Sequence, residues 1–64
     1  MALRHILLVE DEAPLRDAVA EQLSDRGFHV EQAATGEEAI ERLSAFAFDI
    51  VITDLRLGLS LIHI

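Results

Sequence analysis

The sequence predicts an α/β domain built on a parallel sheet, with the element order βαβαβ. Residues 5–9 are a continuous apolar run, as in the buried strands of parallel sheets, and residues 48–53 are rich in the β-branched side chains that strands favour. Between them, apolar residues recur twice at helical spacing. Strands that alternate with helices in this way pair in parallel through right-handed crossovers.

The first strand and the first helix have well-defined boundary signals. His5–Val9 is a continuous apolar run that is stopped by three acids, which indicates a strand buried on both faces. Pro14 suits the first turn of a helix, and Gly27 suits the left-handed position that ends one. We therefore predict a helix over residues 14–26. Its apolar face would comprise Leu15, Ala18, Val19 and Leu23.

The rest of the sequence supplies a second strand, a second helix and a third strand. Residues 28–33 alternate between apolar and polar side chains, which is typical of a half-exposed or edge strand. Thr35 and Glu38 match a capping box, so the second helix is predicted over residues 36–46. Residues 48–53 are rich in β-branched side chains and form the third predicted strand, which ends at Asp54.

Composition excludes several classes of function. The 64 residues include 12 acids, five arginines and no lysine, for a net charge of −7. A protein that binds nucleic acid or an anionic membrane through a basic face is therefore not expected. There is no cysteine for a disulfide or thiolate site, and the three histidines are too scattered in sequence to suggest a metal motif. We find no signal peptide and no apolar stretch of ~20 residues, and we expect a cytoplasmic protein.

Three carboxylates are predicted to converge at one edge of the sheet. Glu10 and Asp11 follow the first strand, and Asp54 follows the third. If strands two and three flank strand one, the winding reverses between strands one and three, where open α/β sheets bind ligands. A hard cation such as Mg²⁺ would relieve the repulsion, and one carboxylate could then attack a phosphoryl group. Alternatively, these acids only solvate a loop, or Asp11 or Glu12 caps the first helix.

Four separated segments resemble the first half of a response-regulator receiver domain. They are HILLVEDE at 5–12, GFHV at 27–30, ATGEEA at 34–39 and FDIVITDLRL at 48–57. The resemblance covers residues 4–58 almost without a gap, so residues 1–58 are interpreted as a partial receiver domain. It implies a flavodoxin-like, doubly wound parallel sheet, reduced here from order 2-1-3-4-5 to βαβαβ with order 2-1-3.

The resemblance also implies a site, a cofactor and partners. Asp54 stands where the family carries its phosphoacceptor aspartate. Glu10 and Asp11 stand at the acidic pair that helps bind Mg²⁺, to which Asp54 and the backbone carbonyl of Arg56 would also contribute ligands. The implied phosphodonor is a sensor histidine kinase, and contact with DNA would belong to an output domain of the parent protein. No enzymatic turnover is expected beyond the receiver's own phosphorylation and dephosphorylation.

The resemblance stops abruptly at Leu59. The Ser/Thr, aromatic and lysine residues that follow in the family are absent from this sequence. The resemblance implies that the lysine would contact the phosphoryl oxygens and that the Ser/Thr would couple phosphorylation to the signalling surface, so we expect no switch. Residues 59–64, LSLIHI, match one reading frame of a transposase adapter used in sequencing libraries. We hypothesise that they are a non-native tail from adapter read-through. The alternative is a genuine short apolar tail.

A second class of function stays open at this point. The chain could be a non-functional or purely structural fragment, able at most to bind a metal or to pair with another sheet. Its third strand would be an edge with a flat apolar sequence, which favours aggregation. We therefore expect the isolated chain to be molten or self-associating. Magnesium-dependent labelling of Asp54 by a small phosphodonor would distinguish a signalling module from such a fragment.

Overall fold

Three strands and two helices form in the predicted order. The computed structural model describes residues 4–53 of the chain. Within that range the chain forms β1 (His5–Val9), α1 (Ala13–Asp25), β2 (His29–Ala33), α2 (Gly36–Ala45) and β3 (Ile50–Thr53).

The strands form one parallel sheet in the order β2-β1-β3. In the register, His5 of β1 lies opposite His29 of β2, and Ile6 of β1 lies opposite Ile50 of β3. This confirms the predicted α/β fold with strand order 2-1-3. It also confirms β2 as an edge strand.

The central strand β1 is buried on both faces, as its continuous apolar sequence predicts. Ile6, Leu7, Leu8 and Val9 are each at most 3% exposed. Leu7 and Val9 point to the face covered by α2, and right-handed crossovers place α1 over Ile6 and Leu8 on the opposite face. The cluster on the α2 side contains Leu7, Val9, Ala33 and Ala39, with Leu43, Phe48 and Val51 packed against it.

Helix α1 ends in a Schellman motif built on Gly27. The Gly27 N–H donates to the Ser24 carbonyl at 2.9 Å, and the Phe28 N–H donates to the Leu23 carbonyl at 3.2 Å. Gly27 has φ of +95°, the left-handed conformation that the sequence predicts for it. The helix begins and ends one residue earlier than predicted, because Arg26 is its C-cap.

The predicted apolar face of α1 is only partly correct. Val19 and Leu23 are half-buried, whereas Leu15 is 42% exposed and Ala18 is exposed. The buried residue of this helix is Ala20, at 5% exposure. The reason is that α1 packs mainly over β2 and β1. Among residues 4–53, no other helix lies on that face to cover the side of α1 that carries Leu15.

Helix α2 begins with the predicted cap, in a slightly different geometry. The Glu38 N–H donates to Thr35 Oγ1 at 3.1 Å, as in a capping box. The Glu38 carboxylate reaches back to the N–H of Ala34, at 2.7 Å, rather than to that of the cap residue itself. The helix ends at Ala45 because Phe46 is already extended, with φ of −136° and ψ of 153°.

Strand β3 is shorter than predicted and only partly covered. It begins at Ile50, since Phe48 packs into the core from the preceding loop. Ile50 and Ile52 remain 38% and 37% exposed, and in the part of the chain that is described β3 pairs with β1 alone. The prediction that the third strand lies at an edge is confirmed for these residues. Neither described helix is long and apolar enough to cross a membrane.

Candidate metal centre at the carboxyl end of β1

Three consecutive acids meet where β1 leaves the sheet. Glu10, Asp11 and Glu12 each offer a carboxylate oxygen, and the three oxygens lie within 4.8 Å of one another. Asp11 and Glu12 are exposed, whereas Glu10 is only 6% exposed. We call these three residues the acidic trio. It contains two predicted ligands, Glu10 and Asp11, and adds Glu12, which the sequence suggested only as a helix cap.

Glu10 is held in place through every polar group of its backbone. Its N–H donates to the Ala33 carbonyl at 3.0 Å, which extends the pairing of β1 with β2 by one residue. Its carbonyl accepts from Arg16 Nη1 at 2.8 Å. Its side-chain Oε2 accepts the N–H of Glu12 at 3.1 Å. A buried carboxylate is costly unless it is hydrogen-bonded, so these contacts fix both its position and its direction.

Arg16 is a positioning residue that the sequence did not single out. It lies near the N-terminus of α1, where the helix dipole disfavours positive charge. There its Nη1 donates to the Glu10 carbonyl, and its Nε donates to Gln32 Oε1 of β2 at 3.3 Å. The guanidinium thus ties the helix to the ends of two strands. A cation at this unfavourable helix position was the signal that could have revealed it.

The capping alternative is not supported for Glu12. Glu12 is the N-cap of α1, but its side chain makes no capping hydrogen bond. Its carbonyl accepts the first helical hydrogen bond, from the Arg16 N–H at 2.8 Å. Its carboxylate belongs instead to the acidic trio. The backbone of Glu12 therefore begins the helix, while its side chain lies with the other two acids.

The remaining predicted ligands lie outside the described residues. These are Asp54 and the backbone carbonyl of Arg56, and the predicted tail at 59–64 lies outside them as well. The last described residue, Thr53 of β3, is the register partner of Val9 in β1. The described ends of the two strands are therefore level at the edge of the sheet that carries the acidic trio.

The donor set of the acidic trio fits Mg²⁺. This ion prefers oxygen ligands, binds one or two carboxylates and keeps several waters. A buried, fixed Glu10 beside the exposed Asp11 provides such ligands while leaving one side open to solvent.

Comparison with known proteins agrees with this architecture. The family profile described as the response regulator receiver domain matches residues 6–60. Among solved structures, the chain is similar to the chemotaxis response regulator CheY4 of Vibrio cholerae. The TM-score is 0.84 and the identity 34%, over 88% of this chain and 47% of the other.

Curated relatives extend well beyond the matched region. A probable transcriptional regulator, ycf29, of Porphyra purpurea is 37% identical over 51 residues, which are 80% of this chain and 24% of that protein. The regulatory protein VirG of Agrobacterium tumefaciens is 36% identical over 56 residues, or 88% of this chain and 21% of the relative. The chain thus spans about a quarter of the length of these relatives.

Proposed function

The chain belongs to the response regulator receiver family, and from this premise we propose that it is the phosphoacceptor part of a two-component phosphorelay. Asp54 is the proposed acceptor and Mg²⁺ the proposed cofactor. The proposed ligands are Glu10, Asp11, Asp54 and the backbone carbonyl of Arg56. The single observation that carries the proposal is the fixed acidic trio at the carboxyl end of β1, level with the described end of β3.

The strand register supports the choice of Asp54. Val9 and Thr53 are partners on adjacent parallel strands, and Glu10 and Asp54 are the residues that follow them. Because parallel strands run in the same direction, we expect the two carboxylates to face the same crevice beyond the sheet. This is the switch point between β1 and β3, where ligands bind in open α/β sheets.

The proposed reaction is attack by an Asp54 carboxylate oxygen on the phosphorus of the donor. A bond forms between that oxygen and phosphorus, the bond from phosphorus to the donor breaks, and the donor keeps the electron pair. Bound Mg²⁺ would neutralise charge on the phosphoryl oxygens. Glu10 and Asp11 would hold the ion, and Arg16 would keep Glu10 in position through its carbonyl. No turnover is proposed beyond this phosphorylation and its reversal.

The proposed donor is a sensor histidine kinase, and the proposed setting is the cytoplasm. Relatives named as transcriptional regulators support an output domain that contacts DNA elsewhere in a longer parent protein. A chain with a net charge of −7 offers little attraction for DNA or anionic membranes.

The test is phosphorylation of the 64-residue chain by acetyl phosphate, with and without Mg²⁺, followed by intact-mass measurement and peptide mapping. We expect one phosphoryl group on Asp54 that requires Mg²⁺ and is lost in Asp54→Asn. Asp49→Asn is the matched control, because Asp49 lies at the opposite end of the sheet and accepts the His5 N–H at 2.9 Å. An asparagine there keeps the acceptor, so labelling should persist.

Far-UV circular dichroism of the same samples separates a folding failure from a functional one. Absence of label in a sample with intact helix signal would reject the phosphoacceptor proposal and favour the structural-fragment alternative. Label that persists in Asp54→Asn would place the acceptor at another residue. Glu10→Gln should reduce labelling at limiting Mg²⁺, since it removes one negatively charged ligand of the ion. Labelling of this variant should recover at high Mg²⁺.

A further inference from the structure

A cluster of two histidines and a glutamate lies at the opposite end of the sheet. His5 and His29 begin β1 and β2 and are register partners. Their rings meet edge to face, with centroids 4.9 Å apart and an interplanar angle of 82°. The two residues are 24 positions apart in sequence, so only strand pairing brings them together. The histidines are scattered in sequence, as noted above, and the fold brings two of them into ring contact.

Glu31 completes a set of three side chains on one face of the sheet. It stands two residues after His29 on β2, and alternate residues of a strand point to the same face. His29 Nε2 and Glu31 Oε2 are 3.2 Å apart. His5 points to that same face because directly paired residues on adjacent strands do so. We call His5, His29 and Glu31 the histidine trio.

The histidine trio lines a cleft of about 300 Å³. The other walls are Phe46, Ala47 and Phe48, which follow α2, and the two phenylalanine rings meet edge to face at 6.3 Å. Aromatic walls lower the local dielectric, so a charged ligand held by the trio interacts with it more strongly than on an open surface. The imidazole of His29 is 50% exposed and the Glu31 side chain 32% exposed, which leaves the cleft accessible to an ion.

The backbone beneath the two imidazoles is held by hydrogen bonds. The His5 N–H donates to Asp49 Oδ2 at 2.9 Å, and the His5 carbonyl accepts the Asp49 N–H at 2.9 Å. The His29 N–H donates to the Arg4 carbonyl, also at 2.9 Å. Ligands carried on ordered strands in this way lose little backbone freedom when an ion binds.

From this geometry we propose that the histidine trio binds a divalent transition-metal ion of the Zn²⁺ type, separately from the acidic trio. Two imidazole nitrogens and one carboxylate oxygen are three ligands that Zn²⁺ accepts, with water in the fourth position. Mg²⁺ prefers oxygen ligands and is a poor match for imidazole. The ion would join β1 to β2 at the amino end of the sheet.

Binding requires side-chain rotation. Among residues 4–53, the acidic trio alone gathers three ligand atoms within 4.8 Å, so the histidine trio is more open. The imidazole of His29 must rotate so that its Nε2 leaves the Glu31 carboxylate. The imidazole and the carboxylate can then face the same ion. These side chains are exposed or half-buried, and the rotation displaces no packed core residue. The proposal is therefore compatible with the β-sheet as it stands.

The test is calorimetric titration of the 64-residue chain with Zn²⁺ in excess Mg²⁺, which keeps the acidic trio occupied by the harder ion. We expect one Zn²⁺ per chain. His5→Gln and His29→Gln should each weaken binding at least about tenfold, since losing even an outer partner of a ligand costs that much. Glu31→Gln should also weaken it. Glu21→Gln is the matched control for Glu31→Gln and should leave the affinity unchanged, because Glu21 is exposed on α1, on the opposite face of the sheet.

A measurement on the unmodified chain keeps the test independent of any folding defect in the variants. Imidazole nitrogen resonances of His5 and His29 should shift with one equivalent of Zn²⁺. Resonances of these two histidines that do not shift would overturn the proposal. Three other results would also overturn it. They are displacement of Zn²⁺ by Mg²⁺, binding of one ion between two chains, and a Zn²⁺ affinity that is unchanged in His5→Gln and His29→Gln.

Discussion

At the residue scale, the contacts of Arg16 hold the backbone that carries the buried acid of the proposed magnesium site. Glu10 is 6% exposed beside two other acids, in a chain with a net charge of −7. The guanidinium of Arg16 binds the Glu10 carbonyl and the Gln32 side chain with two different nitrogens. One side chain thereby fixes the relative position of α1, β1 and β2 where the ligands emerge.

Both Arg16→Gln and Arg16→Lys should therefore destabilise the chain. We expect a loss of about 1–2 kcal/mol in the free energy of unfolding for each, because hydrogen bonds from a charged donor are lost. Lysine keeps the charge but cannot reproduce the planar two-point contact. Urea titration followed by circular dichroism, at low protein concentration, measures the loss. Full stability in Arg16→Lys would mean that charge alone matters.

At the element scale, the end of α1 sets the position of β2. The Schellman hydrogen bonds around Gly27 turn the chain so that His29 is the first residue of β2 and the partner of His5. The amino end of the sheet, including the histidine trio, depends on this turn. A substitution at Gly27 is disfavoured by the left-handed backbone conformation and not by a steric clash, because a Cβ there would meet no atom within 4 Å.

Gly27→Ala should accordingly lower the free energy of unfolding by about 1 kcal/mol, the penalty for a left-handed residue that carries a Cβ. Gly27→Asn is the matched variant and should lose less, because asparagine tolerates this conformation better. Urea midpoints of the two variants and of the unmodified chain give the comparison. An alanine variant as stable as the parent would show that residue 27 leaves the left-handed region.

At the scale of the whole molecule, β3 is the least protected strand among residues 4–53. Ile50 and Ile52, on the α1 side of β3, are each more than a third exposed. Within residues 4–53, β3 pairs with β1 along one edge and with no strand along the other. Apolar edges of this kind pair with other chains. This supports the expectation that the isolated chain self-associates. A chain that sediments as a monomer at every protein concentration would contradict it.

Ile52→Lys should reduce this association, because a charge on an exposed edge strand opposes pairing. Sedimentation velocity over a range of concentrations measures the change. Ala18→Lys is the matched control, since it adds the same charge at an exposed position on α1. We expect a shift towards monomer in Ile52→Lys only. An equal shift in both variants would assign the effect to net charge rather than to the edge.

Local patterns were sufficient to predict the elements and one of the two clusters. The apolar run of β1, the glycine after α1 and the Thr35 cap act over a few residues, so their structural consequences are already present in the sequence. Glu10 and Asp11 are adjacent in the chain, and for the same reason their proximity needed no tertiary information. The family resemblance supplied the expected strand order, and the sheet confirms it.

Contacts between distant residues depended on how the elements pack. The pairing of His5 with His29, the contact of Arg16 with Gln32 and the exposure of Leu15 follow from strand register and from which strands α1 covers. Periodicity tells which side of a helix is apolar, but it does not tell how much of that side a neighbour buries. Register and coverage are set by the joint packing of the whole sheet, and for this reason the tertiary structure was needed to find the histidine trio.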